Sequence, residues 1–227
     1  MAKQVQLTEA DRARVAEAVR AAEGGTAGEI VTIITDRSDT YHDAALVWSA
    51  VAAVLALAAL AIAPDFYLGM WDRILGGWTV EWTPRQLFEF AAVVAALKFA
   101  GTWLILLWKP LRLWLTPRPV RNARVRARAI TCFKVGAERR THGRTGILIY
   151  LSMAEHRAEI VADEAITSEV SPEVWGHAMA SMIAEIAKGN TADGLIAAVR
   201  EVGAVLADHF PRHENDVNEL PDRLIEV

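Results

Sequence analysis

The chain alternates between segments with a helical spacing of apolar residues and short runs of β-branched residues. Thr8 and Asp11 have the spacing of a capping box, and apolar residues follow them at helical intervals, which predicts an amphipathic helix. Residues 29–35 (EIVTIIT) are β-branched almost throughout and predict a buried strand. Further predicted elements are a helix over 120–140, strands over 145–152 and 157–162, and two helices between Ser171 and Pro211.

Two long apolar segments interrupt this pattern after the first strand. Residues 44–63 carry no charge, and residues 87–108 carry only Glu89 and Lys98. Twenty residues of α-helix span about 30 Å, the thickness of the hydrocarbon core of a bilayer. We therefore predict two membrane spans that form a helical hairpin. The predicted divisions are 1–43 (first part of the globular domain), 44–115 (hairpin), 116–211 (second part) and 212–227 (C-terminal tail).

The composition fits an apolar segment set beside an ordinary globular one. Hydrophobic residues make up 53% of the chain and charged residues 23%, which excludes disordered and collagen-like classes. Seven of the eight Trp, Trp78 among them, fall between residues 48 and 114, as expected for aromatic belts at two membrane interfaces. Cys132 is the single cysteine, which excludes an internal disulfide.

The charge is strongly segregated along the chain. Residues 109–144 contain eleven Lys or Arg and one acid, whereas residues 145–227 contain five Lys or Arg and fifteen acids. The linker between the two spans offers only Arg73 and Arg85. Because basic residues near span ends stay in the cytoplasm, we expect both termini to be cytoplasmic. Prolines break the basic run and no aromatic residues are interleaved with its charges, so we expect it to contact lipid headgroups and not nucleic acid.

Lys98 lies about ten residues from either end of its span, too deep for easy snorkelling. It either bonds the neighbouring helix of the hairpin, the alternative we favour, or makes a polar contact in an oligomer or a water-filled path. Small residues on both spans permit close packing within the hairpin or between protomers of a homo-oligomer. These are Ser49, Ala53, Ala56, Ala92, Ala96 and Ala100.

The two globular pieces are expected to form one α/β domain, because the strand over 29–35 has no partner until the second piece supplies one. A strand–helix–strand connection makes two strands parallel, so their carboxyl ends share one sheet edge. Asp36, Asp39, Glu155 and Arg157 follow strands at this edge, where open α/β sheets usually bind ligands. The three carboxylates predict a weak site for a divalent cation, calcium or magnesium. The alternative is that these acids are only solvated or cap a helix.

Three segments in this order resemble the TPM domain family, named after thylakoid acid phosphatase, a photosystem II repair protein and a modulator of acetylcholine receptors. They are residues 26–35 (TAGEIVTIIT), 145–152 (TGILIYLS) and 156–161 (HRAEIV), with the turn at 189–195 (GNTADGL) in addition. The arrangement looks most like a bacterial membrane branch in which two spans interrupt the domain. The resemblance implies a small mixed sheet with helices on both sides, placed at the bacterial inner membrane.

The resemblance also implies a range of activities. Some members bind calcium or other divalent cations through acids near the strand ends, a few act as phosphatases, and others are adaptors of membrane complexes. Asp36 and Asp39 match the acidic segment after the first strand. Glu155 takes the place of an Asp that many members carry before the arginine matched by Arg157.

We expect a non-enzymatic adaptor for a membrane protein partner, and the alternative is a metal-dependent phosphatase. Glu-His at 155–156, and a segment at 162–165 that lacks the glycine-rich turn of the family, favour the adaptor. A phosphatase also needs an activated nucleophile, and Ser38 has no evident base. The tail over 212–227 either packs on its own domain or serves as a docking peptide.

Overall fold

The computed structural model describes residues 7–74, 82–136, 145–212, 220 and 222–227. In chain order the first elements are α1 (Glu9–Glu23), β1 (Glu29–Thr35), α2 (His42–Ile62), α3 (Pro64–Ile74), α4 (Pro84–Leu106) and α5 (Lys109–Leu115). The remainder are α6 (Arg118–Gly136), β2 (Gly146–Ser152), β3 (Arg157–Ala162), α7 (Glu164–Glu169), a 3-10 turn (Pro172–Val174), α8 (Trp175–Ala187), α9 (Thr191–His209) and β4 (Ile225–Glu226). Trp78 and parts of the basic run and tail lie outside the described residues.

The chain divides into two compact units. One contains the described residues up to Asp39 together with those from Arg118 onward, and the other is Thr40–Pro117. The first unit holds a four-stranded sheet in the order β3-β2-β1-β4. β1 pairs in parallel with β2 and β4, whereas β2 and β3 are antiparallel. The predicted mixed sheet, with β1 and β2 parallel, is therefore confirmed.

Helices cover both faces of this sheet. Ile30, Ile34 and Ile149 on one face pack in a cluster with residues of α1, α8 and α9. On the other face Val31 and Leu148 pack with residues of α6. All seven residues of β1 and of β2 are buried, as expected for strands that are covered on both sides.

The helix termini follow local sequence signals. Thr8 caps α1 and Asp11 completes the capping box, as predicted. Thr83 and Gln86 form a second capping box at the start of α4. Gly189, with φ of 89°, lies in the break between α8 and α9, where a residue without Cβ adopts the left-handed conformation most easily.

The described part of the C-terminal tail packs on its own domain. β4 adds a parallel strand to the free edge of β1, with Ile33 opposite Ile225. Leu220 and Leu224 are buried, and the backbone N–H of Leu220 donates to Glu29. Of the two interpretations of the tail, the structure shows packing on its own domain for residues 220 and 222–227.

The second unit is a helical hairpin in which α2 packs against α4. Both helices are long and apolar enough to cross a membrane, and only 11% and 6% of their most apolar segments are buried. Large apolar side chains point outward, among them Val54 (63% exposed) and Leu97 (67% exposed). The hairpin also contains two short helices, α3 and α5, that the sequence analysis did not predict.

Candidate functional site

The carboxyl ends of β1 and β2 meet at one sheet edge, as the strand order predicts. Thr35 and Ser152 are paired at the ends of the two strands. Beyond them, the backbone N–H of Met153 donates to the carbonyl of Thr35 at 3.0 Å, and that of Ala154 donates to the carbonyl of Asp36 at 2.9 Å. The turn after β2 is thus joined to the segment after β1.

Glu155 is a buried connector between these two segments. Its side chain is only 5% exposed, and its Oε1 accepts a hydrogen bond from the backbone N–H of Ser38 at 3.0 Å. Oε2 accepts a hydrogen bond from the hydroxyl of Ser152. His156, with φ of 49°, adopts the left-handed conformation as the turn closes toward β3. Both carboxylate oxygens of Glu155 therefore bond inside the protein.

Hydroxyl groups extend this connection into a buried network. The Ser38 hydroxyl lies 3.0 Å from Ser152 Oγ and 3.1 Å from the Tyr150 hydroxyl. The Ser152 hydroxyl donates to Oε2 of Glu155. It follows that Ser38 donates to Ser152 and that Tyr150 donates to Ser38. We refer to Ser38, Tyr150, Ser152 and Glu155 as the hydroxyl–carboxylate network.

Burial suits this network to a structural role. Tyr150 and Ser152 are fully buried, and burial raises the pKa of the Tyr150 phenol, because a phenolate would lose its hydration. Tyr150 therefore stays a neutral donor at physiological pH. A chain of hydrogen bonds that ends on a carboxylate is mutually strengthened and fixes one geometry. The arrangement holds the loop after β1 in place.

The other predicted site residues have different environments. Asp39 forms an ion pair with Arg124 of α6, and Asp36 is exposed at the end of β1. Arg157 is exposed at the start of β3. The backbone bonds and Glu155 bring the segments after the two strands together. The carboxylates of Asp39 and Glu155, however, are directed to different partners.

The predicted trio of Asp36, Asp39 and Glu155 does not fit a divalent cation as it is arranged. Across the described residues, no group of three or more His, Cys, Asp or Glu side chains has a geometry that could hold a metal ion. A cation here would have to displace Arg124 from Asp39 and Ser38 from Glu155.

Sequence reasoning did not find Tyr150, Ser152 and Arg124. Tyr150 and Ser152 are two residues apart on a strand, so they share one face of the sheet. Two hydroxyl side chains on one face of an otherwise aliphatic strand are the sequence signal that could have identified Tyr150 and Ser152. The pairing of Arg124 with Asp39 had no local signal, because the hairpin separates the two residues in the sequence.

Lys98 lies in the second unit, on α4. Its side chain is exposed, and in the part of the chain that the structure describes it makes no hydrogen bond or ion pair. The favoured alternative, in which Lys98 bonds the neighbouring helix of the hairpin, is therefore wrong for this structure. The ammonium is left at the surface of the hairpin.

Comparison with known proteins identifies the α/β unit. Residues 121–205, which run from α6 through most of α9, match the family model of the TPM domain. This part of the chain is therefore TPM-like in sequence. A solved structure, the NMR structure of the BA42 protein from the psychrophilic bacterium Bizionia argentinensis, is similar over 100% of both chains, with 18% identity and a TM-score of 0.57. At this identity the likeness concerns the fold alone. No curated protein matches the chain.

The match covers the part of the domain that follows the hairpin. β1 and α1 precede the matched residues, yet β1 is a central strand of the same sheet and α1 packs against α9. The resemblance to the TPM family is therefore confirmed for residues 121–205, and β1 and α1 belong to the same compact unit.

Proposed function

We propose that this protein is a membrane-anchored TPM module that acts as a non-enzymatic adaptor for a membrane protein complex. In this proposal the hairpin spans the bacterial inner membrane, and both termini and the TPM domain are cytoplasmic. The observation that carries the proposal is the hairpin itself. Its two apolar helices pack on each other and leave their outer surfaces uncovered.

The exposure of the hairpin supports a lipid environment. A core helix of a soluble protein is mostly buried, whereas the apolar segments of α2 and α4 are 11% and 6% buried. A secretory signal lies near the N-terminus, whereas α2 begins at His42. Exposed apolar patches of this extent on soluble proteins mark surfaces that bind a membrane or another protein.

The distribution of basic residues supports the cytoplasmic orientation. Lys109 and Arg118 follow α4 closely, and Arg121, Arg124 and Arg126 continue the series on α6. The segment between α2 and α4 contains Arg73 and Arg85. This bias matches a hairpin whose linker has crossed the membrane.

The site supports an adaptor over an enzyme. Phosphatase chemistry needs a nucleophile with a base, or a metal-bound water, that substrate can reach. In the hydroxyl–carboxylate network, Ser38 already donates to Ser152, and Ser152 donates to Glu155. These groups bond one another and position a loop.

Two surface features suit partner binding. Residues 145–227 carry ten more acids than basic residues, which favours a basic partner surface. Lys98 is exposed on an apolar helix, where an ion in lipid is costly unless it is paired. A membrane partner with an acid at the matching depth would pair with Lys98, and a second copy of this chain is the other source of such a contact.

The first test concerns anchoring and partner binding. We expect the protein to remain in the membrane fraction after alkaline carbonate extraction, and a cysteine at position 73 to react only with reagent added outside the cell. After crosslinking in intact cells, a defined membrane protein should co-purify with wild type and be depleted in Lys98→Leu, while the matched variant Leu97→Ala retains it. Extraction into the soluble fraction, or an unchanged partner in Lys98→Leu, contradicts the proposal.

The second test addresses the metal-dependent phosphatase. The melting temperature of the detergent-solubilised protein is measured against calcium, magnesium and manganese, together with hydrolysis of p-nitrophenyl phosphate. A cation that binds only the folded protein stabilises it by RT ln(1 + [L]/Kd). We expect no turnover. Saturable stabilisation and hydrolysis that are both lost in Asp36→Asn would establish the enzyme and reject the adaptor as the sole function.

A further inference from the structure

The helix that follows the first apolar helix of the hairpin has two chemically different sides. α3 (Pro64–Ile74) begins directly after Ala63, which ends α2. Phe66, Met70 and Ile74 recur every fourth residue, so they form one stripe along the helix. At 100° per residue, Tyr67 and Trp71 lie next to this stripe on one flank, and Arg73 lies beside Phe66 on the other flank. Asp65 and Asp72 lie on the opposite side.

The apolar side of α3 is uncovered by the described part of the protein. Phe66 is 66% exposed, Met70 45% and Ile74 67%. Trp71 is 38% exposed and contacts the ring of Phe90 on α4 at a centroid distance of 5.5 Å. The ring contact ties α3 to the hairpin, while the stripe formed by Phe66, Met70 and Ile74 faces outward.

The lengths of the helices place α3 at a membrane boundary if α2 crosses the bilayer. The 21 residues of α2 correspond to about 31 Å of helix, which is the thickness of the hydrocarbon core. Pro64 starts α3, since proline fits the first turn of a helix and cannot continue the preceding one. The chain thus leaves α2 at the headgroup level and begins a new helix there.

We propose that α3 is an interfacial helix that lies in the plane of the membrane at the linker end of the hairpin. Phe66, Met70 and Ile74 insert into the boundary between headgroups and acyl chains, and Asp65 and Asp72 face water. This inference rests on the proposed membrane anchoring. Amphipathic helices of this kind bury their apolar side about 5–10 Å into the boundary.

The aromatic residues favour lipid as the occupant of this surface. Tyr67 and Trp71 combine an apolar ring with a polar group, the combination that is enriched at the headgroup level. Trp82, close to the start of α4, contacts Phe90 as well, at a centroid distance of 5.6 Å. The aromatic residues at this end of the hairpin therefore lie close to the junction of α2 with α3 and to the start of α4.

The test maps the depth of α3 residue by residue. Single cysteines replace Phe66, Met70 and Ile74 on the apolar side and Asp65 and Asp72 on the polar side, in a Cys132→Ala background. Each is spin-labelled in vesicles of phosphatidylethanolamine and phosphatidylglycerol, and its collisions with oxygen and with a water-soluble nickel chelate are measured. Cysteines at Leu55 and Leu97, both exposed on the long helices, are the depth controls.

We expect a several-fold higher ratio of oxygen to nickel collisions at positions 66, 70 and 74 than at 65 and 72. That ratio should stay below the one at positions 55 and 97. High nickel access at all five α3 positions overturns the inference and leaves the anchoring intact. If positions 66, 70 and 74 are shielded from both reagents, a protein surface covers them, and this result also overturns the inference. High nickel access at 55 and 97 refutes the anchoring itself.

Discussion

The carboxylate of Glu155 accepts a hydrogen bond from the backbone N–H of Ser38 at 3.0 Å. This bond joins the turn after β2 to the loop after β1, two segments that lie on opposite sides of the inserted hairpin in the sequence. A side chain that satisfies a backbone donor in this way acts as part of the framework. The role of Glu155 is therefore to hold the sheet edge in one conformation.

Replacing Glu155 should destabilise the TPM domain. Glu155→Ala leaves the Ser38 N–H and the Ser152 hydroxyl without their partner, and losing the partner of a buried polar group costs about 1–3 kcal/mol. We expect a lower melting temperature in detergent for Glu155→Ala. The control is Glu159→Gln on β3, whose carboxylate lies 3.8 Å from Arg126. An equal effect of both substitutions would show that the bonds of Glu155 contribute nothing specific.

Stability should depend on the ionisation of Glu23 at the end of α1. Burial, and to a lesser extent the nearby charges of Glu29 and Asp222, raise the pKa of Glu23 from 4.5 to about 8. The folded protein therefore keeps a proton that the unfolded chain releases above pH 4.5. Between pH 4.5 and about 8 the unfolded state binds fewer protons, so the free energy of unfolding decreases as the pH rises.

Glu23→Gln isolates this contribution, because the amide oxygen can still accept from the backbone N–H of Ile30. Melting temperatures of wild type and variant are compared from pH 5 to pH 9. The difference, variant minus wild type, should grow steadily with pH up to about 8 and then level off. A difference that stays constant over this range would mean that Glu23 is ionised in the folded protein.

The C-terminal segment should contribute through its apolar contacts more than through its charges. Leu224 is 8% exposed in the core cluster that includes α1 and α9 residues, and a buried Leu→Ala substitution costs about 2–5 kcal/mol. Glu226 pairs with Arg12 near the surface, where ion pairs contribute little. Thermal melts should therefore show a large decrease for Leu224→Ala and a small one for Glu226→Gln. The reverse order would mean that the ion pair holds the segment.

The crossing of α1 and α9 should be sensitive to a single methyl group. A Cβ added to Gly203 would lie 2.6 Å from the Cβ of Ala22, so Gly203→Ala should destabilise the protein by about 1–3 kcal/mol. Gly176 on α8 has no atom within 4 Å of such a Cβ, and Gly176→Ala should be neutral or slightly stabilising. Denaturation midpoints of the two variants test this contrast. A tolerated Gly203→Ala would mean that the helices can separate without cost.

Much of the fold could be predicted because its signals are local. The capping box of Thr8 and the β-branched residues of β1 depend on neighbours in the sequence, and both elements form as expected. β4 could not be predicted, because a strand of two residues exists only through its pairing with β1. α3 was missed for a different reason: its aromatic residues, such as Trp71, were interpreted as a membrane belt without regard to their helical spacing.

The sequence predicted where the candidate site residues lie, but it did not predict which groups they bond. The parallel pairing of β1 and β2 correctly located Asp36 and Glu155 at one sheet edge. Their acidity suggested a metal site, because a sequence does not show which donors compete for a carboxylate. Arg124 for Asp39, and Ser38 and Ser152 for Glu155, are such competitors. They are brought near by the tertiary fold.

The position of β1 in the sheet has a consequence for synthesis of the protein on the ribosome. β1 is made before the hairpin, whereas its two neighbours, β2 and β4, are made after it. An emerging apolar strand therefore keeps both of its edges unpaired while the whole hairpin is translated, and unpaired edges invite aggregation. A nascent chain that stalls within the hairpin is left with β1 unpaired. The sheet therefore closes around β1 only after both β2 and β4 have followed the hairpin out of the ribosome.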